Sequence, residues 1–374
     1  MVLLEGPPGA GVARERVLVL RGPVEPAVAV PGPPGPPGPP VPVSGPAPRR
    51  LGRGRLADGT RWWLLPHDPA LPGLDLALDH ERLDAWLPGL GRAGEPAWVA
   101  YRPGERAVLR VPLDAVPARP DEPGSSLHLK VLPPARLHGM HGRLLAARAA
   151  GLPVPPPLAP PDQGVLALGT LPGEPWRARL GADAPQPAPA AVAALLDALP
   201  DALAAHDDSP SRTPAWSALL AHAVRAGTLL DPEAAEELRE RARRLEESLA
   251  AADPGPRVPV HGDLHPDNLL LAPGTDRIVG VLDPDSLGPG HRVDDWAVLV
   301  GHLAVAAADA AVPGPSHDPE RARRTAALAA EFTGHACGVV DEEALRARAD
   351  VTALALAAAP DLPPAVRAAR RSAR

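Results

Sequence analysis

The chain has one cysteine in 374 residues, Cys337, which excludes an intramolecular disulfide framework and a cysteine-based zinc site. A lone thiol of this kind reads as a small packed or surface side chain. Long apolar runs are missing too. The longest, Ala297 to Val312, is interrupted by His302 and Asp309 and is too short to cross a bilayer. The first residues, Met1-Val-Leu-Leu-Glu, lack the basic start and extended apolar stretch of a secretory signal. A cytoplasmic protein without membrane partners is expected. Aromatics are scarce, with seven Trp, one Tyr and one Phe, so a cage for a quaternary ammonium would have to draw on Trp176, Trp216 and Trp296. Net charge is -7, from 38 basic and 45 acidic residues, which argues against a broad nucleic-acid surface.

Two further scarcities are informative. Lys130 is the sole lysine among the 38 basic residues, and Asn268 is the sole asparagine. A codon bias against AT-rich triplets replaces Lys by Arg and Asn by Asp or Ser wherever chemistry tolerates it. The survivors therefore mark positions where a substitute would fail. A compact ammonium and a planar guanidinium do not fill a phosphate site in the same way.

What is abundant lies at the front. Residues 1–50 hold 14 Pro and 8 Gly, including the collagen-like triplets Gly32-Pro-Pro-Gly-Pro-Pro-Gly38-Pro-Pro. Three triplets cannot sustain a triple helix, so the segment reads as a disordered or stiffly extended linker, able to offer weak contacts to a partner domain. Gly6-Pro-Pro-Gly-Ala-Gly11 has the glycine spacing of a phosphate loop, but Val12-Ala13 stand where Lys and Ser or Thr are required. It is not a working P-loop. From Leu51 onward, strands are expected at Trp62-Trp63, 107–111, 127–132 and 165–168, with a helix over 136–150 ended by Gly151-Leu-Pro153. Helices then dominate: 188–206, 214–229, one starting at Asp231-Pro232-Glu233, then 293–311, 318–335 and 341–358. Strands first and helices afterwards predict an α+β, two-lobed chain, with an N-terminal lobe over 51–168, a helical C-terminal lobe over 169–362 and a solvated Arg-rich tail over 363–374.

One constellation carries chemistry. In His261-Gly-Asp-Leu-His-Pro-Asp-Asn268, Asp263 lies five residues before Asn268, and Asp283 follows fifteen residues later. The apolar runs 258–260 and 278–282 each lead into one of these loops. Phosphoryl transfer needs an acceptor for the incoming hydroxyl's proton, oxygen ligands for magnesium and a cation on the phosphates. Asp263, the pair Asn268 and Asp283, and Lys130 are candidates for those three tasks. Asp285 is a second candidate for the metal, although Asp283 directly follows the apolar run. His261 and His265, four apart, are better read as bracing the loop than as zinc ligands, because Gly262 and Pro266 argue against a regular helix there and no third ligand is evident.

The segment 261–270 closely resembles the catalytic loop of aminoglycoside phosphotransferases and the related choline, homoserine and sugar kinases. Gly280-Val-Leu-Asp283, with Gly288-Pro-Gly290 and Asp295-Trp-Ala, resembles their metal-binding segment, and Leu166 to Trp176 resembles their interlobe hinge. The resemblance covers roughly residues 95–335. It implies a protein-kinase-like fold with a small β-rich N-lobe, and an enzyme moving the γ-phosphate of ATP, with Mg2+, to a hydroxyl of a small molecule. By this resemblance Asp263 is the catalytic base, and Asn268 and Asp283 hold magnesium. Lys130, Leu166 and Leu168 contact ATP, and His261 and Asp295 support the loop. One departure matters: the family pairs the strand lysine with a glutamate on the next helix, and no Asp or Glu occurs between Glu122 and Asp162. That departure motivates the alternative of a catalytically impaired, nucleotide-binding regulatory protein. The acceptor is poorly encoded. Asp341-Glu-Glu343 and Asp350 fit an acidic pocket for a polycation and equally fit ordinary helix-start and surface roles.

Overall fold

The computed structural model describes residues 61–91, 94–113, 125–204, 215–313, 317–358 and 370–371, together with the backbone of three short strands nearer the front. The chain divides into two units. Met1–Ala115, Leu127–Leu137 and Ala159–Ala167 form the first; Val116–Ser126, His138–Leu158 and Leu168–Arg374 form the second.

In the first unit, strands β1 (Val2–Leu4), β2 (Arg16–Arg21), β3 (Arg53–Arg55) and β4 (Arg61–Leu64) form an antiparallel sheet in the order β1-β2-β4-β3. Two stretches of the Pro/Gly-rich segment are thus strand. The rest of 1–50, with its triplets and its Gly6–Gly11 spacing, lies outside the described residues. Two helical turns that the patterning did not suggest follow, α1 (Leu74–Ala77) and α2 (His80–Trp86). The Asp79 carboxylate accepts the Arg82 N–H at 3.1 Å and so caps α2.

A second sheet has the order β5-β6-β7-β8, from Ala97–Arg102, Arg106–Pro112, Ser126–Val131 and Val165–Gly169. Leu71, Leu74 and Leu83 pack on Leu109, Val111, Leu127, Leu129 and Val165, each burial contributing roughly 1.5–3 kcal/mol. Alternation along β7 puts Lys130 on the face opposite Leu129, and both are buried. Asp68 is buried as well. Its Oδ2 accepts from the Tyr101 hydroxyl at 2.9 Å and Gly104 N at 2.7 Å, which holds the turn at Pro103-Gly104, while Oδ1 accepts Ala70 N at 3.0 Å in its own loop. Burial, aided by this carboxylate, pushes the Tyr101 hydroxyl well above its ordinary pKa.

Helix α3 (Pro134–Ala149) starts in the first unit and continues in the second. Residues 138–158 belong with the second unit and bond to its strand β12 and the turn that follows it. Arg143 Nη2 donates to Asp285 O at 3.2 Å, and Val281 N donates to Pro153 O at 2.8 Å. The second unit continues with β9 (Glu174–Pro175), α4 (Pro189–Asp197), α5 (Trp216–Leu230), α6 (Ala235–Ala251), β10 (Arg257–Val260), β11 (Leu269–Leu271), β12 (Ile278–Val281) and β13 (Gly288–His291). It ends in α7 (Arg292–Ala311), α8 (Pro319–Cys337) and α9 (Glu342–Ala357). Its sheets are β12-β11-β9 and the pair β10-β13. Helix α7 is buried along most of its length, and Trp176 and Trp296 meet Phe332 at 5.4 Å and 6.3 Å between ring centroids.

Three expectations are revised by this unit. The helix expected over 188–206 stops at Asp197, and a separate 3-10 turn follows Pro200, which cannot donate a helical N–H. Asp231 does not cap α6; a 3-10 turn over Pro232–Ala234 intervenes, and the Asp231 carboxylate accepts from Arg371 at 2.9 Å. The tail is not wholly solvated either. Arg370 grips Asp309 through Nε at 2.7 Å and Nη2 at 2.6 Å, and donates to Leu356 O at 2.9 Å. Among the described residues no helix is long and apolar enough to cross a membrane.

Candidate active site

Strand β10 is held in register by β13, with Val260 opposite Gly288, and delivers the chain into the loop 261–268. Gly262 begins it at φ +79°, where a Cβ would stand 2.8 Å from Ser286 O, so glycine is required twice over. His261 is buried. Its Nε2 lies 3.0 Å from Leu282 O, and its Nδ1 accepts the Asp263 N–H at 3.3 Å. A carbonyl oxygen only accepts, so Nε2 carries the proton, and a single neutral tautomer satisfies both contacts. Asp295, fully buried in the first turn of α7, accepts the N–H groups of His261 at 2.9 Å and Gly262 at 2.8 Å, one on each oxygen. Burial pushes its carboxyl pKa up, and His261 with the two N–H groups opposes that rise. The loop entry is thereby tied to α7 and to the end of β12. Asp263, next along, keeps its side chain 48% exposed.

At the far end of the loop, Pro266–Asn268 form a 3-10 turn. The Asn268 amide nitrogen donates to Asp263 O at 2.8 Å and lies 3.1 Å from His265 Nε2. Turning the amide over would set two oxygens against each other at Asp263, so its orientation is decided by that carbonyl. With His265 Nε2 as the acceptor, Nδ1 carries the proton and faces Asp267 Oδ2 at 3.5 Å, and the Asp267 N–H, 3.3 Å from the same Nδ1, loses its acceptor in this tautomer. Burial raises the Asp267 carboxyl, but His265 and the Arg177 guanidinium, 3.4 Å away, outweigh it and hold the group below the usual carboxylate range. The His265 ring lies flat on His302 of α7, with centroids 4.5 Å apart and planes 11° from parallel. Burial lowers the His302 pKa to about 3, helped by His265 and Arg177, so this ring is neutral at physiological pH.

The ladder between β11 and β12 pairs Leu269 with Val281 and continues as Leu282 N to Asn268 O at 2.8 Å. Asn268 and Asp283 therefore leave neighbouring strands at the same end. Asp283 does so at φ 49°, ψ 52°, a left-handed conformation that costs a non-glycine residue roughly 1–2 kcal/mol and persists only where neighbours enforce it. Asp285 is the more buried of the two carboxylates, at 4% exposure, beneath Arg143. Burial lowers the Arg143 pKa, while Asp285 opposes that fall. Both amide hydrogens of Asn268 are committed, which leaves its oxygen to bind. An amide oxygen beside a carboxylate is a donor set that suits a small hard cation such as Mg2+.

Five of the expected residues, His261, Asp263, Asn268, Asp283 and Asp295, are thus brought together in the second unit. Lys130 and Leu166 lie buried on β7 and β8 in the first unit, and Leu168 lies on β8 in the part assigned to the second. Helix α3 carries no acid, as its sequence shows. Sequence reasoning missed Arg143, Arg177 and His302. Only His302 left a signal: it follows Asp295 by seven residues, two turns along the same face of α7.

A sequence profile of the phosphotransferase enzyme family matches residues 104–326, more than half of the chain. The chain belongs to the phosphotransferase enzyme family. An aminoglycoside 3'-phosphotransferase of Streptomyces fradiae is 46% identical over 48 residues, a match that spans 13% of this chain and 18% of that relative's length. Among solved structures, a glucosamine kinase in complex with glucosamine, ADP and inorganic phosphate is similar in fold, with a TM-score of 0.52 and 20% identity over 86% of this chain and 89% of the kinase. An aminoglycoside-3'-phosphotransferase of type VIII aligns with a TM-score of 0.44 and 24% identity over 70% of this chain and 93% of that one. The fold is the α+β, protein-kinase-like one, with a sheet-containing N-lobe and a helical C-lobe.

Proposed function

We propose that this member of the family transfers the γ-phosphoryl group of ATP, with Mg2+, to a hydroxyl of a small molecule such as an aminoglycoside, a sugar or an amino alcohol. The observation that carries the reading is the half-exposed Asp263 carboxylate. It stands on a loop tied down at one end by Asp295 and at the other by Asn268, beside the strand end that presents Asp283. Asp263 accepts the proton of the incoming hydroxyl and orients its oxygen toward the phosphorus. Asn268 and Asp283 hold Mg2+, which neutralises charge on the transferred group when bound. Lys130 serves the phosphates, and the backbone at Leu166 and Leu168 serves the adenine. His261 and Asp295 keep the loop in one shape. ATP as donor suits a cytoplasmic protein.

The test is ADP release with Mg2+, ATP and a panel of aminoglycosides, sugars and amino alcohols. One class should stimulate turnover, and Asp263→Ala should lower it at least about a hundredfold, the usual scale for general-base loss. Turnover that survives in Asp263→Ala would refute the assignment. A second reading, a nucleotide-binding protein with impaired catalysis, is favoured by the absence of any acid on α3, where Arg143 is buried instead. It predicts nucleotide binding with no acceptor-dependent turnover across the panel.

A further inference from the structure

Asn268 is held by more than its own loop. Its amide nitrogen reaches His265 Nε2 at 3.1 Å, and His265 faces Asp267 at 3.5 Å on its other nitrogen. Asp267 meets Arg177, from the 3-10 turn over Trp176–Arg179, at 3.4 Å. The ring plane of His265 is set by His302 on α7, stacked at 4.5 Å. These contacts divide the work. With the proton on Nδ1, which gives up the 3.3 Å contact from the Asp267 N–H, the Nε2 lone pair is left for the asparagine, and the stack keeps it aimed there. An asparagine held only by Asp263 O could still rock about its last torsion. One held by two acceptors cannot turn its oxygen away without breaking both bonds.

We propose that His265 is a positioning residue for the metal site: held by Asp267, Arg177 and His302, it fixes the Asn268 amide so that the oxygen is the atom presented to the cation. The inference rests on the reading of Asn268 as a magnesium ligand. It assigns to His265, and through it to Arg177 and His302, a part in metal affinity without contact to the metal.

The experiment measures Mn2+ binding to the full chain in the presence of ADP, by electron paramagnetic resonance, alongside ADP binding without metal. His265→Phe keeps a ring against His302 and removes the acceptor; His265→Ala serves if the phenyl ring is not accommodated. Either variant should weaken Mn2+ binding roughly tenfold, as loss of a ligand's hydrogen-bond partner does elsewhere, and leave metal-free ADP binding within twofold. In an Asn268→Ala background the same change should have no further effect, because His265 acts only through Asn268. His302→Ala should give a smaller loss in the same direction.

Losses that add in the double variant, or unchanged Mn2+ affinity in His265→Phe and His265→Ala, overturn the proposal. If Asn268→Ala itself binds Mn2+ as the wild type does, the metal-ligand reading fails and this inference with it. If Asn268→Ala weakens binding and the His265 variants do not, only the inference fails.

Discussion

At the scale of single residues, the site depends on protonation states that burial enforces. His302 is the clearest case, with its pKa lowered from 6.5 to about 3 chiefly by burial. The unfolded chain therefore takes up a proton at this position before the folded one does. Stability from this group is complete above pH ~6.5 and is lost as pH falls toward 3, at up to about 1.4 kcal/mol per pH unit. Urea unfolding of wild type and His302→Phe at pH 7, 6 and 5 isolates the effect, since other groups titrate alike in both. The wild type should lose about 2 kcal/mol relative to the variant by pH 5. A difference that stays flat with pH would show that the fold does not hold His302 neutral. Asp283 illustrates a different cost: its left-handed backbone is strain that a glycine would relieve, at the price of the carboxylate.

Among the elements, the short 3-10 turns and strand ends matter more than the long helices, because they set where side chains leave the backbone. The loop 261–268 closes against the Pro284–Ser286 turn at Gly262. Gly262→Ala has to accommodate both an unfavourable φ and a methyl 2.8 Å from a carbonyl oxygen, so a loss of about 2–3 kcal/mol is expected. Thermal unfolding reads this directly, and ADP release should fall with it because Asp263 is the next residue. A variant as stable as the wild type would mean that the turn relaxes without strain. The acidic run on α9 illustrates how an element answers a compositional question. Asp341, Glu342, Glu343 and Asp350 do line a cleft of about 550 Å³, together with Leu245 and Arg346. Yet Asp341 caps the helix by accepting Ala344 N at 2.7 Å, Glu342 pairs with Arg346, and Asp350 meets Arg241 at 3.5 Å. Helix-start and surface roles account for these acids.

At the scale of the whole molecule, the front of the chain and its far end both take part in folded structure. Strands β1 and β2 extend the β3-β4 pair into a four-stranded sheet, and a two-stranded pair alone is marginal in water. Deleting residues 1–50 should therefore lower stability by about 2–4 kcal/mol through lost strand pairing. The comparison is the unfolding midpoint of the full and shortened chains; equal midpoints would leave the segment as the extended linker that its composition suggests. The reaction class was legible in the sequence, because Asp263, Asn268 and Asp283 belong to one short stretch whose spacing survives any arrangement of the rest. The strand-then-helix order was legible for the same reason, since periodicity is a local property. The turn carrying Arg177 and Arg143 on α3 approach that stretch from distant parts of the chain, and no local pattern announces them; the part-buried His302 on α7 meets His265 only because that predicted helix packs against the loop. The sequence determined which atoms are available for phosphoryl transfer. Only the tertiary structure decided which way they point, because an amide, an imidazole and a strained backbone are oriented by whatever packs against them.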